Sequence, residues 1–239
     1  MKGGRLYYDM PIGILCLESL FPKPRGHMRN PLTYGFPTVT RVIRGVDIPR
    51  LLFNPTPDLL EPFIQAAKEL EADGVQAITG SCGFMALFQK AVASAVSVPV
   101  LMSSLVQIPL IHTLHGPGCR IGVLTAHSGS LTPEHFRQAG VPDAQIDALA
   151  IAGMENFPVF RKTILEGAAP VMDTDAVGAE IGAAAGRPAA RMHGPERVRP
   201  DRAGGGFRPG LRYQFPDRLR GLLRAAEPVG VTGNRPPQT

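Results

Sequence analysis

The sequence predicts an α/β protein built as two similar lobes, each a mostly parallel sheet flanked by helices, the second shorter than the first. Three observations predict it. Short apolar strands alternate with amphipathic helices from about residue 10 to about residue 180, the order that parallel sheets with covered faces require. Ile12-Gly13-Ile14-Leu15 is echoed at Ile121-Gly122-Val123-Leu124, as if a second lobe restarted the pattern. The alternation then stops after about Ile181, and Gly, Pro and Arg supply 28 of the 57 residues from 183 to 239. We therefore divide the chain into an N-terminal lobe (10–112), a partial C-terminal lobe (113–182) and an Arg/Gly/Pro-rich tail (183–239).

Each element follows from local pattern. Ile12–Leu17 is a short β-branched apolar run, the form of a buried strand. Residues 21–37 carry Pro22, Pro24, Gly26, Pro31, Gly35 and Pro37 and read as a loop. Val39–Val46 fits a second strand. Pro57-Asp58 opens a helix whose apolar positions Leu59, Leu60, Phe63, Ile64, Ala67 and Leu70 fall on one face, and Gly74 ends it. Val75–Thr79 is a strand that runs straight into Gly80-Ser81-Cys82-Gly83, with a helix expected from Phe84 to about Val96. Val98–Met102 is the next strand, followed by an apolar helix over Leu105–Leu114. Arg120–Leu124 is a strand again, and Pro133–Ala139 and Asn156–Gly167 read as helices.

Composition narrows the function classes. The net charge of +5 is split: residues 1–182 carry 14 basic and 16 acidic side chains, residues 183–239 carry 11 Arg against 4 acids. A uniformly basic surface is therefore not expected. No apolar run approaches the roughly 20 residues that cross a bilayer, and Glu18 interrupts the only leader-like start, so we expect no membrane association and a cytoplasmic location. Cys16, Cys82 and Cys119 lack CxxC spacing, which argues against a zinc knuckle or a disulfide framework, and no metal site is expected.

Cys82 carries the chemistry. It stands where a strand gives way to a helix, the edge at which open α/β sheets bind ligands. A helix N-terminus there would favour the thiolate. Backbone N–H groups near Gly83 and Phe84, with the hydroxyls of Thr79 and Ser81, would hold a substrate carboxylate. Cys16 and Cys119 read as small buried hydrophobes. A G-x-C-x-G nucleophile elbow is broken by Phe84, which weighs against a cysteine hydrolase. His27, His112, His115, His127 and His135 read as surface or satisfied histidines, with His127 the one placed near a strand end.

The segment Asp73–Phe84 (DGVQAITGSCGF), the Val98-Pro99-Val100 that follows its helix, the loop ending in Arg29-Asn30 and Gly122–Ala126 (GVLTA) together resemble the aspartate/glutamate racemase family, which includes hydantoin racemases. The resemblance spans about residues 10–180. It implies two pseudo-symmetric α/β lobes, no cofactor (PLP-independent chemistry) and a small carboxylate as substrate. One thiolate would remove a Cα proton while a second cysteine, from the other lobe, returns one on the opposite face. Cys82 matches the first of these, Asn30 matches a substrate-binding position in the loop, and Thr125 and His127 match the segment that opens the second lobe and would face the same cleft.

The second cysteine is missing, and with it the second lobe is incomplete. Met192 stands where the resemblance places it. The Met-His codon junction read one base later encodes Cys, and its neighbours permit the Glu-Cys-Thr of the family. We read this as a possible frameshift between about Ile181 and Arg191, against a genuine divergent or disordered tail. Three functions stay open: a racemase with Cys82 as one acid/base and its partner lost; a single-cysteine decarboxylase or isomerase of a small carboxylic acid; or a non-catalytic protein with an Arg-rich arm. Nucleic acid is not the expected partner, because no aromatic residues interleave the arginines. Homo-oligomerisation is left open.

Overall fold

The computed structural model describes residues 8–116, 118–167 and 170–186. Four strands, β1 (Ile12–Glu18), β2 (Thr38–Asp47), β3 (Ala77–Gly80) and β4 (Val100–Leu101), form a wholly parallel sheet in the order β2-β1-β3-β4. Two more, β5 (Gly122–Thr125) and β6 (Ala150–Gly153), pair in parallel as a second sheet. The α/β class expected from the alternation is the class observed.

The order explains where a ligand would go. The chain leaves β1 to build β2 on one side, then crosses to build β3 on the other. The carboxyl ends of β1 and β3 thus flank a switch point, from which successive connections diverge and leave a crevice. β1 is the central strand and is buried continuously from Gly13 to Leu17, as a strand covered on both faces must be.

The helices show why some elements were legible and others were not. α1 (Ile48–Phe53) follows β2 without a loop; Asp47 caps it, its carboxylate accepting from the Arg50 N–H at 2.8 Å, and Pro49 lies in its first turn. It was missed because a Pro two residues beyond a strand reads as a loop. α2 (Leu60–Asp73) is the amphipathic helix expected, preceded by a 3-10 turn at Pro57–Leu59 and ended by Gly74 at φ +104°, a conformation that costs glycine nothing. Its Leu70, together with Val75, rests against Gly13, where an added Cβ would stand 2.9 Å from Leu70 Cδ1.

The helix expected after Cys82 is a 3-10 helix, Gly83–Phe88, and only then α3 (Gln89–Ala95). The apolar stretch at 105–114 divides in the same way, into a 3-10 turn at Ser104–Gln107 and α4 (Ile108–His115). In the second lobe α5 (Pro133–Gln138) matches expectation, whereas α6 (Asp143–Ile146) and β6 are too short to show a period. The helix expected over 156–167 is one turn, α7 (Pro158–Phe160), continued as a π-helix at Arg161–Leu165. α8 (Thr174–Ala185) closes the described chain, capped by Asp173, and its Gly/Ala-rich sequence had concealed it.

One apolar core joins both lobes. Leu15, Phe63, Ile78, Met85 and Met102 fill the first, Phe136, Leu149, Met154 and Leu165 the second, and all are buried. Phe84 meets His135 of α5 edge-on at 5.3 Å. Among the described residues no helix is long and apolar enough to cross a membrane. α8 runs through Ala185, past the expected boundary at residue 182; the rest of the tail, with its Met192 junction, the frameshift reading and the Arg-rich arm, lies outside the described residues.

Candidate active site

A cavity of about 470 Å³ lies against the carboxyl ends of β1, β3 and β5. β1 contributes Leu17 and, just beyond it, Ser19; the turn after β3 contributes Ser81, Cys82 and Gly83; β5 contributes Leu124, Thr125 and Ala126. Phe21, Phe84 and Phe160 supply aromatic wall. The volume is that of a small-molecule site, and the mix of apolar wall and few polar groups is typical of one.

The turn that presents Cys82 is fixed from both sides. The Ser81 N–H donates to the Leu15 carbonyl at 2.9 Å, tying the turn to β1. At Gly80 an added Cβ would stand 2.3 Å from the Met102 carbonyl oxygen and 2.7 Å from Met85 Sδ. Only glycine lets β3 pass so close to the strand beside it, and the residue that follows is thereby aimed at the crevice.

Cys82 is partly buried and its thiol is pushed up to about 11, because burial outweighs the opposing influence of the nearby backbone N–H groups of Phe84 and Met85. The expectation of a thiolate stabilised by a helix start is corrected on two counts. The helix there is a 3-10 helix of six residues, with little aligned dipole to offer, and the apolar surroundings penalise the charged form more than two N–H donors favour it. The Met85 N–H donates to the Cys82 carbonyl at 3.0 Å, and the Phe84 N–H, expected to help hold a carboxylate, acts on the thiol.

The expected site residues divide. Ser81, Cys82, Gly83 and Thr125 line one cavity. Asn30 does not: its Oδ1 accepts from the Leu32 N–H at 2.9 Å and its amide donates to the Lys23 carbonyl at 2.8 Å, so it caps its own loop. Thr79 turns its hydroxyl to the Leu101 carbonyl at 2.8 Å and joins β3 to β4. His127 lies in a different hollow with Phe53, Glu155 and Arg161. Its Nδ1 accepts from the Ser130 N–H at 3.0 Å, and its ring meets Phe53 edge-on at 5.1 Å. Thr125 and His127 were expected to share the cleft; two residues of chain past the end of β5 are enough to separate them.

Sequence reasoning passed over two residues of the wall. Arg29 lines the cavity, its Nη1 donating to the Leu17 carbonyl at 3.1 Å and to Ser19 Oγ at 2.9 Å. His27 lines it too, its Nδ1 accepting from the Arg29 N–H at 3.0 Å; burial, with Lys23 and Arg29 nearby, lowers it to about 4. Burial and then Arg29 lower Lys23 to about 8; its ammonium is turned to the Phe21 carbonyl and lies over the Phe21 ring. In sequence Arg29 only marks the end of the loop that carries the resemblance, with the binding role given to its neighbour Asn30, and His27 reads as a surface or satisfied histidine. Cys16, wholly buried in β1, has its thiol raised by burial, against opposing influences of Ser81 and Arg29.

Comparison with known proteins gives a consistent name. The chain is 32% identical over 161 residues to dimethylsulfoniopropionate lyase 3 of Emiliania huxleyi (strain CCMP1516), a match covering 65% of this chain and 42% of that protein. It is 30% identical over 126 residues to the dimethylsulfoniopropionate lyase of Durusdinium sp. clade D, covering 52% of this chain and 42% of the other. The chain thus spans about two fifths of the length of these curated relatives. Among solved structures, a glycine-to-cysteine mutant of arylmalonate decarboxylase with associated sulfate ion aligns at TM-score 0.36 and 13% identity, over 80% of this chain and 97% of that one. No family model matches. The relatives overturn the racemase expectation: they are lyases, which agrees better with the alternative of a single-cysteine enzyme acting on a small carboxylic acid.

Proposed function

We propose that the chain is a lyase in which Cys82 removes the proton next to the carboxylate of a small β-substituted acid of the dimethylsulfoniopropionate kind. The observation that carries this reading is the placement of the Cys82 thiol in a largely apolar cavity at the switch point. Two α/β lobes, 10–112 and 113–182, would contribute to it from the ends of their first strands.

The chemistry requires one base. In dimethylsulfoniopropionate the sulfonium sulfur sits on the carbon beside the one that loses the proton. The Cys82 thiolate takes the C2 proton, the C2–H electron pair forms the C2–C3 double bond, and the C3–S bond breaks with its pair leaving on sulfur. Dimethyl sulfide and acrylate result, and Cys82 returns its proton to solvent. Racemisation needs an acid on the opposite face; elimination does not, so the missing second cysteine is no obstacle to it.

The raised thiol fits this demand. A C–H beside a carboxylate is a very weak acid, so a strongly basic thiolate is the better acceptor. The cost is a small thiolate fraction at neutral pH. A substrate cation entering the low-dielectric cavity offsets that cost by pulling the thiol down. Ser81, Gly83 and Thr125 would shape the polar side of the pocket around the substrate, with Thr79 and Asn30 holding the strand and loop behind it.

The test is direct. Purified chain incubated with dimethylsulfoniopropionate should release dimethyl sulfide into the headspace, with an equal amount of acrylate in solution. Cys82→Ser should lower the rate by about 10²–10⁴, the usual worth of a positioned base. No release from the wild-type chain, or an undiminished rate in Cys82→Ser, would overturn the proposal.

A further inference from the structure

We infer that Arg29 is the carboxylate anchor of the Cys82 cavity, and that the cavity selects monocarboxylates whose other end is apolar or a weakly hydrated onium group. The inference rests on reading this cavity as the substrate site, and it adds which end of the substrate goes where.

The electrostatics of the wall are one-sided. Arg29 brings a permanent positive charge to it, and among the described residues no Asp or Glu lines the cavity. Among the described residues, the ion pairs formed by arginine involve Arg41, Arg44, Arg50 and Arg137, and none involves Arg29. The Arg29 guanidinium is half-buried and held by two neutral acceptors, the Leu17 carbonyl and Ser19 Oγ, both through Nη1. A partly desolvated guanidinium without a counter-ion is costly, and a carboxylate is the group that fits its fork. The two acceptors fix the guanidinium at the end of β1, so the anchor is rigid before the substrate arrives.

The other candidate anchors are committed or uncharged. The Met85 N–H is spent on the Cys82 carbonyl at 3.0 Å, and the Phe84 N–H lies near the thiol, where it opposes the effect of burial. The Lys23 ammonium is directed to the Phe21 carbonyl and covers the Phe21 ring at 3.3 Å. His27 accepts the Arg29 N–H at Nδ1 and is neutral at pH 7, so it offers only an uncharged Nε2–H. One charged anchor therefore faces the cavity.

The remaining wall decides the other end. Phe21, Phe84, Phe160, Ile164, Met172 and Val177 line it. A second carboxylate would be buried there without a cation, at a cost no apolar contact repays. An isopropyl or dimethylsulfonio group suits it, the latter drawn to aromatic faces as cations are.

Isothermal titration on the full chain carrying Cys82→Ser, whose residual turnover is too slow to disturb the measurement, tests the assignment. The probes are dimethylsulfoniopropionate, its uncharged carbon isostere 4-methylpentanoate, and the dicarboxylate glutarate. We expect both monocarboxylates to bind and glutarate to bind at least tenfold more weakly than 4-methylpentanoate. Adding Arg29→Gln should weaken both monocarboxylates by tenfold or more, and Arg29→Lys should recover part of the loss. Glutarate binding as tightly as 4-methylpentanoate, no binding of either monocarboxylate, or an Arg29→Gln affinity within twofold would overturn the inference. The glutarate comparison needs no change at Arg29, so it decides even if that variant does not fold.

Turnover in the chain with Cys82 intact separates this inference from the lyase reading. Arg29→Gln should raise KM for dimethyl sulfide release by tenfold or more while kcat falls less. Arg29-dependent binding without any dimethyl sulfide would sink the lyase and leave the anchor standing. Cys82-dependent release with KM unchanged in Arg29→Gln would do the reverse.

Discussion

Cys82 combines two properties that pull in opposite directions: a place in a ligand-sized cavity and a thiol held protonated by its surroundings. For the proposed elimination this gives a pH signature. The free protein must lose a proton from a group near 11 before the base exists, so kcat/KM should rise about tenfold per pH unit from neutrality until it levels near that value. The rise in kcat should level earlier, because a bound sulfonium favours the thiolate. A kcat/KM that is flat from pH 6 to 9 would contradict a high-pKa base. The same residue scale explains why Arg29 escaped notice. Arg29 stood in a recognised loop, but nothing in its sequence neighbours gave it a role; that comes from the Leu17 carbonyl and Ser19 Oγ that hold it.

At the scale of elements, the turn after β3 is the part that must not move. Gly80 is enclosed by the Met102 carbonyl and Met85 Sδ, and backbone cannot yield as a flexible side chain can. Gly80→Ala should therefore destabilise the fold by about 2–3 kcal/mol, the range for overpacking a tight site, and should lower activity further by shifting Cys82. Urea midpoints and dimethyl sulfide rates, measured side by side, check both effects. Gly122, which the echo pairs with Gly13, behaves differently. Its nearest non-neighbour is the Ala150 carbonyl oxygen at 4.0 Å, whereas Gly13 is pressed by Leu70 and Val75. The two strands share a sequence signature but not a packing requirement, and Leu124 of β5 remains 40% exposed.

At the scale of the whole molecule, two histidines, His135 buried and His27 half-buried, link stability to pH. His27 and His135 are each lowered to about 4, in both cases chiefly by burial. The unfolded chain takes up protons on them near 6.5 while the folded chain resists until about 4. Below 6.5 the unfolded state therefore binds more protons, and stability falls as pH drops through that window. Denaturant midpoints at pH 7 and pH 5 should show the loss. His27→Gln, which keeps an acceptor for the Arg29 N–H, should reduce its slope, leaving the share that belongs to His135. An identical slope in the variant would show that His27 does not report on folding.

Much of the fold was legible because it rests on period and punctuation. β1 shows as an apolar run, α2 shows by its spacing and by Gly74, and the strand-to-turn passage at Gly80–Gly83 shows by composition. Elements of three to six residues, such as α1, α6 and β6, lie below the length at which period can be read. The site was legible in part: Ser81, Cys82, Gly83 and Thr125 meet in one cavity, while Asn30, Thr79 and His127 do not join them. By itself the sequence determined the α/β class and which cysteine to watch, since both follow from local pattern. Only the tertiary structure decided that the thiol is raised, that Arg29 lines the same cavity and that His127 stands apart. Those properties depend on burial and on direction across the switch point, where residues distant in sequence share one low-dielectric space.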